Sequence, residues 1–279
     1  MTGTPQQEHD EWGVERLDVQ AYLDRIGHVG ELSPTMETLR SLHRAHVTTI
    51  PFENIDVLLG RRIGLDVDAL QDKLVRRPRG GYCYEHTLLF AALLERLGFE
   101  VTRLAGRIRN GSDAHRPRSH AVLRVEADGQ AWLADVGFGA ERPLEPIRFA
   151  EGATAQQGDW TYRVDGAGDG EWVLRTRHPS GWFDLYSIDL AVVYPGDFAV
   201  QNHYTATHPD SPFVSRIIAQ HTAPDVRQTL LGNELRATRA DGSIQQRHVP
   251  DVELAEVLRG ELGIGLEPDE VAALTGSSH

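Results

Sequence analysis

The sequence predicts an α+β protein with a helical N-terminal part, an antiparallel middle part that forms a sheet or small barrel, and a mixed C-terminal part. Apolar residues recur at helical spacing through the first third of the chain, and from Phe99 onward they alternate with polar residues as in half-buried strands. At 279 residues the chain can form one large domain or two to three small ones. We expect domains at residues 1–97, 98–194 and 195–279.

Four helices are predicted in the first domain, because four segments combine a start or stop signal with apolar residues at helical spacing. They are a helix over 18–26 that Asp18 caps and Gly27 ends, one that Ser33 caps with Pro34 at its first position, one that Asp66 caps, and one over 83–97 that follows Gly80-Gly81 and ends at Gly98.

Alternating residues predict strands in the middle domain at 101–109, 120–126, 131–136, 160–164, 171–177 and 182–186. Asp128-Gly129 is a strong hairpin signal. The glycine-rich segment 166–170 lies between two predicted strands with no helix after it, so it predicts a hairpin turn rather than a phosphate-binding loop. In the third domain we expect strands at 215–222, 227–231, 234–240 and 244–249, and helices that begin at Asp251 and Pro268.

Composition excludes several classes of protein. The 28 Lys and Arg residues against 41 Asp and Glu give a net charge of −13, which disfavours a nucleic-acid partner. No apolar run approaches the ~20 residues that cross a bilayer, and residues 1–12 lack the pattern of a secretory signal. The single cysteine excludes an intramolecular disulfide and a cysteine-based zinc site. We therefore expect a cytoplasmic protein with no membrane partner and no metal, in which His43 and His46 are ordinary partly buried histidines.

The one cysteine, Cys83, stands where a thiol becomes reactive. It follows Arg79-Gly80-Gly81 and opens the apolar helix, where the helix dipole and free amide N–H groups favour a thiolate. The same position also suits a small buried residue on a helix face, and this alternative stays open from the position alone.

A thiolate needs a base, and the predicted hairpin supplies one together with a group to orient it. If Asp128 and Gly129 are the turn residues, the positions of paired residues sum to 257 and His120 lies diagonal to Asp135 on one face of the sheet. Asp135 is also a lone carboxylate in an apolar strand, where a buried acid requires a partner. The alternative is that Asp135 caps a turn at the end of the strand. Jointly, these residues indicate a Cys83, His120 and Asp135 triad.

Several segments of the chain, including the one around Cys83, resemble the arylamine N-acetyltransferase family. The segment around Cys83 is similar to the active-site signature of that family, although Thr87 stands where many members have asparagine. The other similar segments occur in the family's order. The matching segments are Ile50-Pro51-Phe52-Glu53-Asn54, Arg79-Gly80-Gly81-Tyr82-Cys83-Tyr84-Glu85-His86, Pro117-Arg118-Ser119-His120, Trp132-Leu133-Ala134-Asp135-Val136-Gly137-Phe138-Gly139, Asn202-His203-Tyr204, Thr207-His208-Pro209 and Ser211-Pro212-Phe213.

The resemblance implies a helical domain, a β-barrel domain and an α/β lid, with a cysteine-protease-like triad between the first two. It implies that acetyl-CoA acylates Cys83 and that an arylamine, arylhydrazine or hydrazide then attacks the thioester. His120 would serve as the base and Asp135 would orient it. Backbone amides at Cys83 and near Gly137 would stabilise the oxyanion.

The resemblance also implies the lining of the substrate pocket. Phe52, Phe138 and Phe213 would provide flat apolar walls, and Gly137, Phe138 and Phe213 would contact the CoA donor. Core packing is the alternative role for each of the three phenylalanines. Glu53 and Arg79 are expected to form a structural ion pair.

Two alternatives remain open. A related amide synthase that closes a macrolactam on an aromatic amine would have the same triad. A papain-like cysteine hydrolase would use a similar Cys-His-Asp/Asn arrangement but would not require CoA. The expected partners are acetyl-CoA and a small aromatic amine or hydrazine, and the residues leave a homo-oligomer open.

Overall fold

The computed structural model describes residues 10–276 and confirms the predicted α+β class. Among these residues there are eight α-helices, and most of the predicted ends are correct. Helix α2 begins later than predicted, because Thr35 rather than Ser33 caps it by accepting a hydrogen bond from the Thr38 amide. The helices are α1 (Val19–Ile26), α2 (Met36–Thr49), α3 (Ile55–Leu58), α4 (Val67–Leu74), α5 (Cys83–Arg96), α6 (Pro195–Thr207), α7 (Leu254–Gly260) and α8 (Pro268–Gly276).

The described residues also form thirteen strands, which belong to two sheets. The strands are β1 (Phe52–Glu53), β2 (Glu100–Ile108), β3 (Arg118–Ala127), β4 (Gln130–Ala134), β5 (Ile147–Arg148), β6 (Ala153–Gln157), β7 (Trp160–Gly168), β8 (Glu171–His178), β9 (Gly181–Val192), β10 (Ile218–Thr222), β11 (Arg227–Leu231), β12 (Glu234–Thr238) and β13 (Ile244–His248).

The larger sheet is antiparallel and nearly closes into a barrel. Its eight strands have the order β5-β4-β3-β2-β9-β8-β7-β6, and the edge strands β5 and β6 lie against each other. The hairpin between β3 and β4 has the predicted register, since Leu123 pairs with Ala134 and Ala127 pairs with Gln130. Asp128 and Gly129 form its turn, both with positive φ as a tight hairpin requires. The glycine-rich segment likewise connects β7 to β8 as a hairpin.

The smaller sheet joins distant parts of the chain. Its order is β1-β10-β11-β12-β13, and Phe52 of β1 pairs with Gln220 of β10. The segment next to Phe52 thereby belongs to the same sheet as the C-terminal strands. Helix α6, which the sequence analysis did not predict, connects the barrel to this sheet.

Two hydrophobic cores support this arrangement. The larger one runs continuously through the N-terminal helices and the barrel, and the smaller one lies between the five-stranded sheet and α7. The domain boundaries after residues 97 and 194 stay predictions. Within residues 10–276, no helix is both long enough and apolar enough to span a bilayer.

Candidate active site

Cys83 is the first residue of α5, and close contacts hold that helix end in place. A Cβ on Gly80 would lie 1.8 Å from the Pro51 carbonyl oxygen, so glycine is required for the two segments to pass each other. The Glu85 carboxylate accepts a 3.0 Å hydrogen bond from the Tyr82 amide and thereby caps the helix. Since Cys83 is the first helical residue, its own amide has no acceptor within the helix and lies at the positive end of the helix dipole.

A cavity of about 470 Å³ opens beside the Cys83 side chain. The cysteine is only 4% exposed, yet it lines this cavity, and its Sγ lies 3.6 Å from the Ser119 carbonyl oxygen. His120, the residue after Ser119, lines the same wall. A small molecule in the cavity would therefore meet the thiol and the imidazole together.

His120 and Asp135 form a buried pair behind the cavity wall. His120 Nε2 lies 2.9 Å from Asp135 Oδ2, which leaves Nδ1 as the other ring nitrogen, and the His120 side chain also interacts with that of Cys83. Neither side chain is more than 2% exposed. The structure thus brings the three residues of the predicted triad into one connected arrangement.

Asp135 uses its other oxygen to hold the chain that follows it. Strand β4 ends at Ala134 rather than at Val136 as predicted, and Asp135 Oδ1 accepts hydrogen bonds from the amides of Gly137 (3.0 Å) and Phe138 (2.9 Å). The expectation that an amide near Gly137 is free to stabilise an oxyanion is therefore wrong for these two groups. The Cys83 amide is the remaining candidate from the sequence analysis.

The electrostatics of the pair favour its ionised form. Burial disfavours the imidazolium, but the Asp135 carboxylate and the neighbouring sulfur outweigh burial and raise the pKa of His120 to about 10. Burial likewise disfavours the carboxylate, but His120 and the amide of Gly137 outweigh it and lower the pKa of Asp135. At neutral pH the pair is therefore an imidazolium and a carboxylate.

Gly137 lies directly against the start of α5. A Cβ at this position would lie 2.8 Å from the Cys83 carbonyl oxygen, 2.9 Å from the Cys83 Cα and 2.9 Å from Thr87 Oγ1. Thr87 in turn donates a 2.9 Å hydrogen bond to the Ala121 carbonyl, next to His120. Thr87 thus links the cysteine helix to the strand that bears the histidine.

Aromatic side chains form much of the cavity wall. Phe52, Phe138 and Phe213 all line it, so the structure brings together the three phenylalanines that the sequence analysis assigned to the pocket. The rings of Phe52 and Phe213 are 6.0 Å apart, and the Phe138 ring lies edge-on to His120 at 5.2 Å. Gly137 lines the cavity as well, whereas Asp135 lies behind His120.

A cluster of buried charges lies behind the cysteine helix. Arg79 donates to Glu53 at 2.9 Å, which confirms the predicted ion pair, and it also contacts Asp56 at 3.0 Å. Lys73 bridges Asp56 and Glu85 at 2.9 and 2.8 Å. Because Glu85 caps α5, this cluster fixes the helix end that bears the thiol.

The histidines of the N-terminal helices are buried rather than partly buried as expected. His46 lies between Tyr22 and His86, and His86 donates from Nε2 to the Pro51 carbonyl at 3.1 Å. Burial and neighbouring cationic groups lower the pKa of His46 and of His86, so both are neutral. Nowhere in residues 10–276 do three or more His, Cys, Asp or Glu side chains group as metal ligands.

Three further side chains lie at this site and were not predicted from the sequence. The Tyr186 ring lies 4.7 Å from the His120 ring. The buried Tyr186 hydroxyl interacts with the Asp135 carboxylate, but its geometry does not meet the criteria of a hydrogen bond. The side chain of Gln220 accepts a hydrogen bond from the Ala140 amide. The guanidinium of Arg142 donates to the Val136 carbonyl. All three depend on contacts between distant segments, which a single sequence does not show.

The chain is similar to known proteins over most of its length. The N-acetyltransferase family model matches residues 35–271. The arylamine N-acetyltransferase of Escherichia coli (strain K12) is 36% identical over 88% of this chain and 88% of its own length. That of Mycobacterium tuberculosis (strain ATCC 25618 / H37Rv) is 37% identical over 90% of each chain.

Solved structures resemble the whole fold. The arylamine N-acetyltransferase of Nocardia farcinica superposes with a TM-score of 0.92 at 43% identity, over 98% of this chain and 99% of its own. That of Mycobacterium marinum in complex with CoA gives 0.87 at 36% identity, over 92% and 98%. Sequence and fold therefore agree over nearly the entire length, and the chain belongs to the arylamine N-acetyltransferase family.

Proposed function

We propose that this acetyltransferase transfers an acetyl group from acetyl-CoA, through a thioester on Cys83, to an arylamine, arylhydrazine or hydrazide. The observation that carries the proposal is the placement of Cys83 at a helix start, on the wall of an aromatic cavity, beside the buried His120–Asp135 pair. The imidazolium stabilises a thiolate, which is the nucleophilic form of cysteine.

In the first half-reaction, the Cys83 thiolate attacks the acetyl carbonyl carbon and a C–S bond forms. The Cys83 amide, which has no acceptor within its helix, donates to the oxyanion that develops. The bond to the CoA sulfur then breaks, and His120 gives its proton to the departing thiolate. His120 is left neutral, with Asp135 holding the tautomer that keeps Nδ1 free to accept a proton.

In the second half-reaction, the acceptor nitrogen attacks the thioester carbonyl. Its proton passes to His120, the C–S bond to Cys83 breaks, and the thiolate–imidazolium pair is restored. The flat walls of Phe52, Phe138 and Phe213 suit an aromatic acceptor. The two steps follow each other, so CoA departs before the amine reacts.

A second cavity supports an anionic donor. It has a volume of about 520 Å³, shares Ala140 and Glu141 with the first cavity, and is lined by four arginines. Two buried donors on its wall, Arg227 Nε and Trp160 Nε1, have no hydrogen-bond partner among residues 10–276. Guanidinium groups suit phosphates. The four arginines are Arg177, Arg227, Arg236 and Arg239.

The test is acetyl transfer from acetyl-CoA to a panel of aromatic amines and hydrazines, read as release of the CoA thiol. We expect activity that Cys83→Ser abolishes, and parallel lines when initial rates are measured at varied acceptor. Intersecting lines would indicate direct attack in a ternary complex and would contradict the thioester.

The same assay separates the alternatives. Hydrolysis of activated esters without transfer and without a CoA requirement would favour the papain-like hydrolase. Turnover only with a donor that carries the amine on its own acyl chain would favour the macrolactam-forming amide synthase. The cytoplasmic location stays a prediction that cell fractionation can test.

A further inference from the structure

Arg142 is an arginine that the proposed chemistry does not use, and it is almost fully buried, at 1% exposure. Its guanidinium makes four hydrogen bonds, none of them to a carboxylate. Nη2 donates to the carbonyls of Val47 (2.8 Å) and Ile50 (3.1 Å), Nη1 donates to Val136 (3.1 Å), and Nε donates to Thr222 Oγ1 (3.3 Å).

Among residues 10–276, Arg142 differs from the buried arginines Arg79 and Arg103 in that no carboxylate contacts it directly. Arg79 and Arg103 contact carboxylates within 3.0 Å, whereas within residues 10–276 Arg142 forms no ion pair. Burial lowers its pKa to about 10, although the nearby Asp135 carboxylate acts to raise it, so Arg142 stays charged at neutral pH. The carbonyls of Val47 and Ile50 belong to the C-terminal end of α2, where the helix dipole favours a cation.

The four acceptors come from three separate parts of the chain that meet at the active site. Val136 lies between Asp135 and Gly137, the segment that orients His120 and packs on Cys83. Ile50 lies two residues before Phe52, a wall of the cavity. Thr222 is in β10, the strand whose Gln220 holds the Ala140 amide.

We propose that Arg142 is a positioning residue, which fixes the Asp135–Phe138 segment against the end of α2 and so holds Asp135 in place for His120. This rests on the proposed function for the roles of His120 and Asp135. A buried charge held only by backbone carbonyls and one hydroxyl contributes directional contacts that no apolar side chain can replace. Loss of the guanidinium frees the Val136 carbonyl, and the carboxylate shifts relative to the imidazole.

The test compares the alkylation rate of Cys83 by iodoacetamide at pH 6 in the parent, Arg142→Met and Arg142→Lys proteins, each at a temperature well below its unfolding transition. Alkylation reports the thiolate, which the His120–Asp135 pair stabilises. Because displacement of a catalytic group by ~1 Å can cost about 10²-fold, we expect both variants to react at least about ten-fold more slowly. The lysine keeps the charge but cannot reach all four acceptors, so it should not restore the rate.

Arg103→Met is the matched control, since Arg103 is also buried but pairs with Glu95 away from the cavity. It should lower thermal stability and leave the alkylation rate within about two-fold of the parent, as expected for additive changes at independent sites. Folded Arg142 variants that react like the parent would overturn the proposal, and so would an equal loss in Arg103→Met.

If Arg142→Met does not fold, the alkylation rates of Arg142→Lys and Thr222→Val test the proposal instead. Thr222→Val removes one acceptor at nearly constant shape, and it should slow alkylation by a smaller factor than Arg142→Lys does. A parent-like rate in both would overturn the proposal. Alkylation needs no acetyl donor, so the two proposals can fail separately. A parent protein that is rapidly alkylated but is not acetylated would refute the proposed function. The alkylation rates of the Arg142 variants could still be compared in that case.

Discussion

At the scale of single residues, Asp135 serves two partners with its two oxygens. Oδ2 accepts from His120, while Oδ1 accepts from the amides of Gly137 and Phe138. The two roles that the sequence presents as alternatives, orienting the histidine and capping the turn after the strand, are therefore both filled. A carboxylate can accept on both sides, but a side-chain amide has only one accepting atom.

Asp135→Asn should consequently preserve the fold and lose activity. If the new amide oxygen accepts from the loop amides, its NH₂ group faces His120 Nε2 and selects the tautomer with the proton on Nδ1. That tautomer cannot accept the thiol proton, and in a serine protease the equivalent change costs ~10⁴ in turnover. We expect a loss of at least about 10²-fold in acetylation of Cys83, and slow alkylation at pH 6. Parent-like acetylation and alkylation would show that Asp135 acts only as a turn residue.

The same pair should give stability a defined dependence on pH. The folded-state pKa of His120 is raised to about 10, so its contribution is complete below the unfolded value of ~6.5 and declines as the pH rises towards 10. The folded-state pKa of Asp135 is lowered, so its contribution is present above ~3.9 and is lost as the pH falls below that value. Both are present between about pH 4 and 6.5.

Urea unfolding of the parent and of His120→Gln measures this contribution. The difference between their free energies of unfolding should be largest near pH 5 to 6 and should shrink steadily towards pH 10. A difference that stays constant over this range would contradict an ionised His120–Asp135 pair.

At the scale of elements, the contact between the Asp135–Phe138 segment and α5 places the histidine beside the thiol. A Cβ on Gly137 would lie within 3.0 Å of Cys83 backbone atoms, which cannot rotate away as a side chain can. Gly137→Ala must therefore displace the helix start or the loop.

We predict that Gly137→Ala lowers the rate of Cys83 acetylation by at least about ten-fold, because a small misplacement of reacting groups is costly. Gly139→Ala is the matched control. Its Cβ would lie 3.2 Å from the Gln220 amide oxygen, an atom of a side chain rather than of the backbone, and 3.6 Å from Phe52, an ordinary contact. Similar rates in both variants would contradict close packing of the loop on the cysteine helix.

Local signals in the sequence were sufficient for most elements. The turn at Asp128-Gly129 fixes the hairpin register, because two residues with positive φ leave one way for the strands to pair. Helix α6 was missed because Pro195-Gly196 resembles a turn and only three of its residues are buried, so no apolar period is visible. Its usable signal is Asp197, whose carboxylate accepts from the Tyr194 amide at 3.0 Å, with Pro195 at the first helical position.

At the scale of the whole molecule, the cavity exists because three distant segments converge. Phe52 pairs with Gln220, Phe213 packs against Phe52, and Arg142 joins α2 to the barrel and to β10. Such contacts between residues 80 or more positions apart leave no periodic pattern in a single sequence. Spacing and chemistry could predict the cysteine, histidine and aspartate, whereas the phenylalanines required the family resemblance and Arg142 required the structure.

The mass of the intact protein after incubation with acetyl-CoA, in the absence of an acceptor, tests directly whether Cys83 forms a thioester. We predict one added acetyl group, located on Cys83 by peptide mapping, absent in Cys83→Ser, and discharged when an arylamine is added. An unmodified protein, or an acetyl group on any other residue, would contradict the central claim that Cys83 carries the group between donor and acceptor.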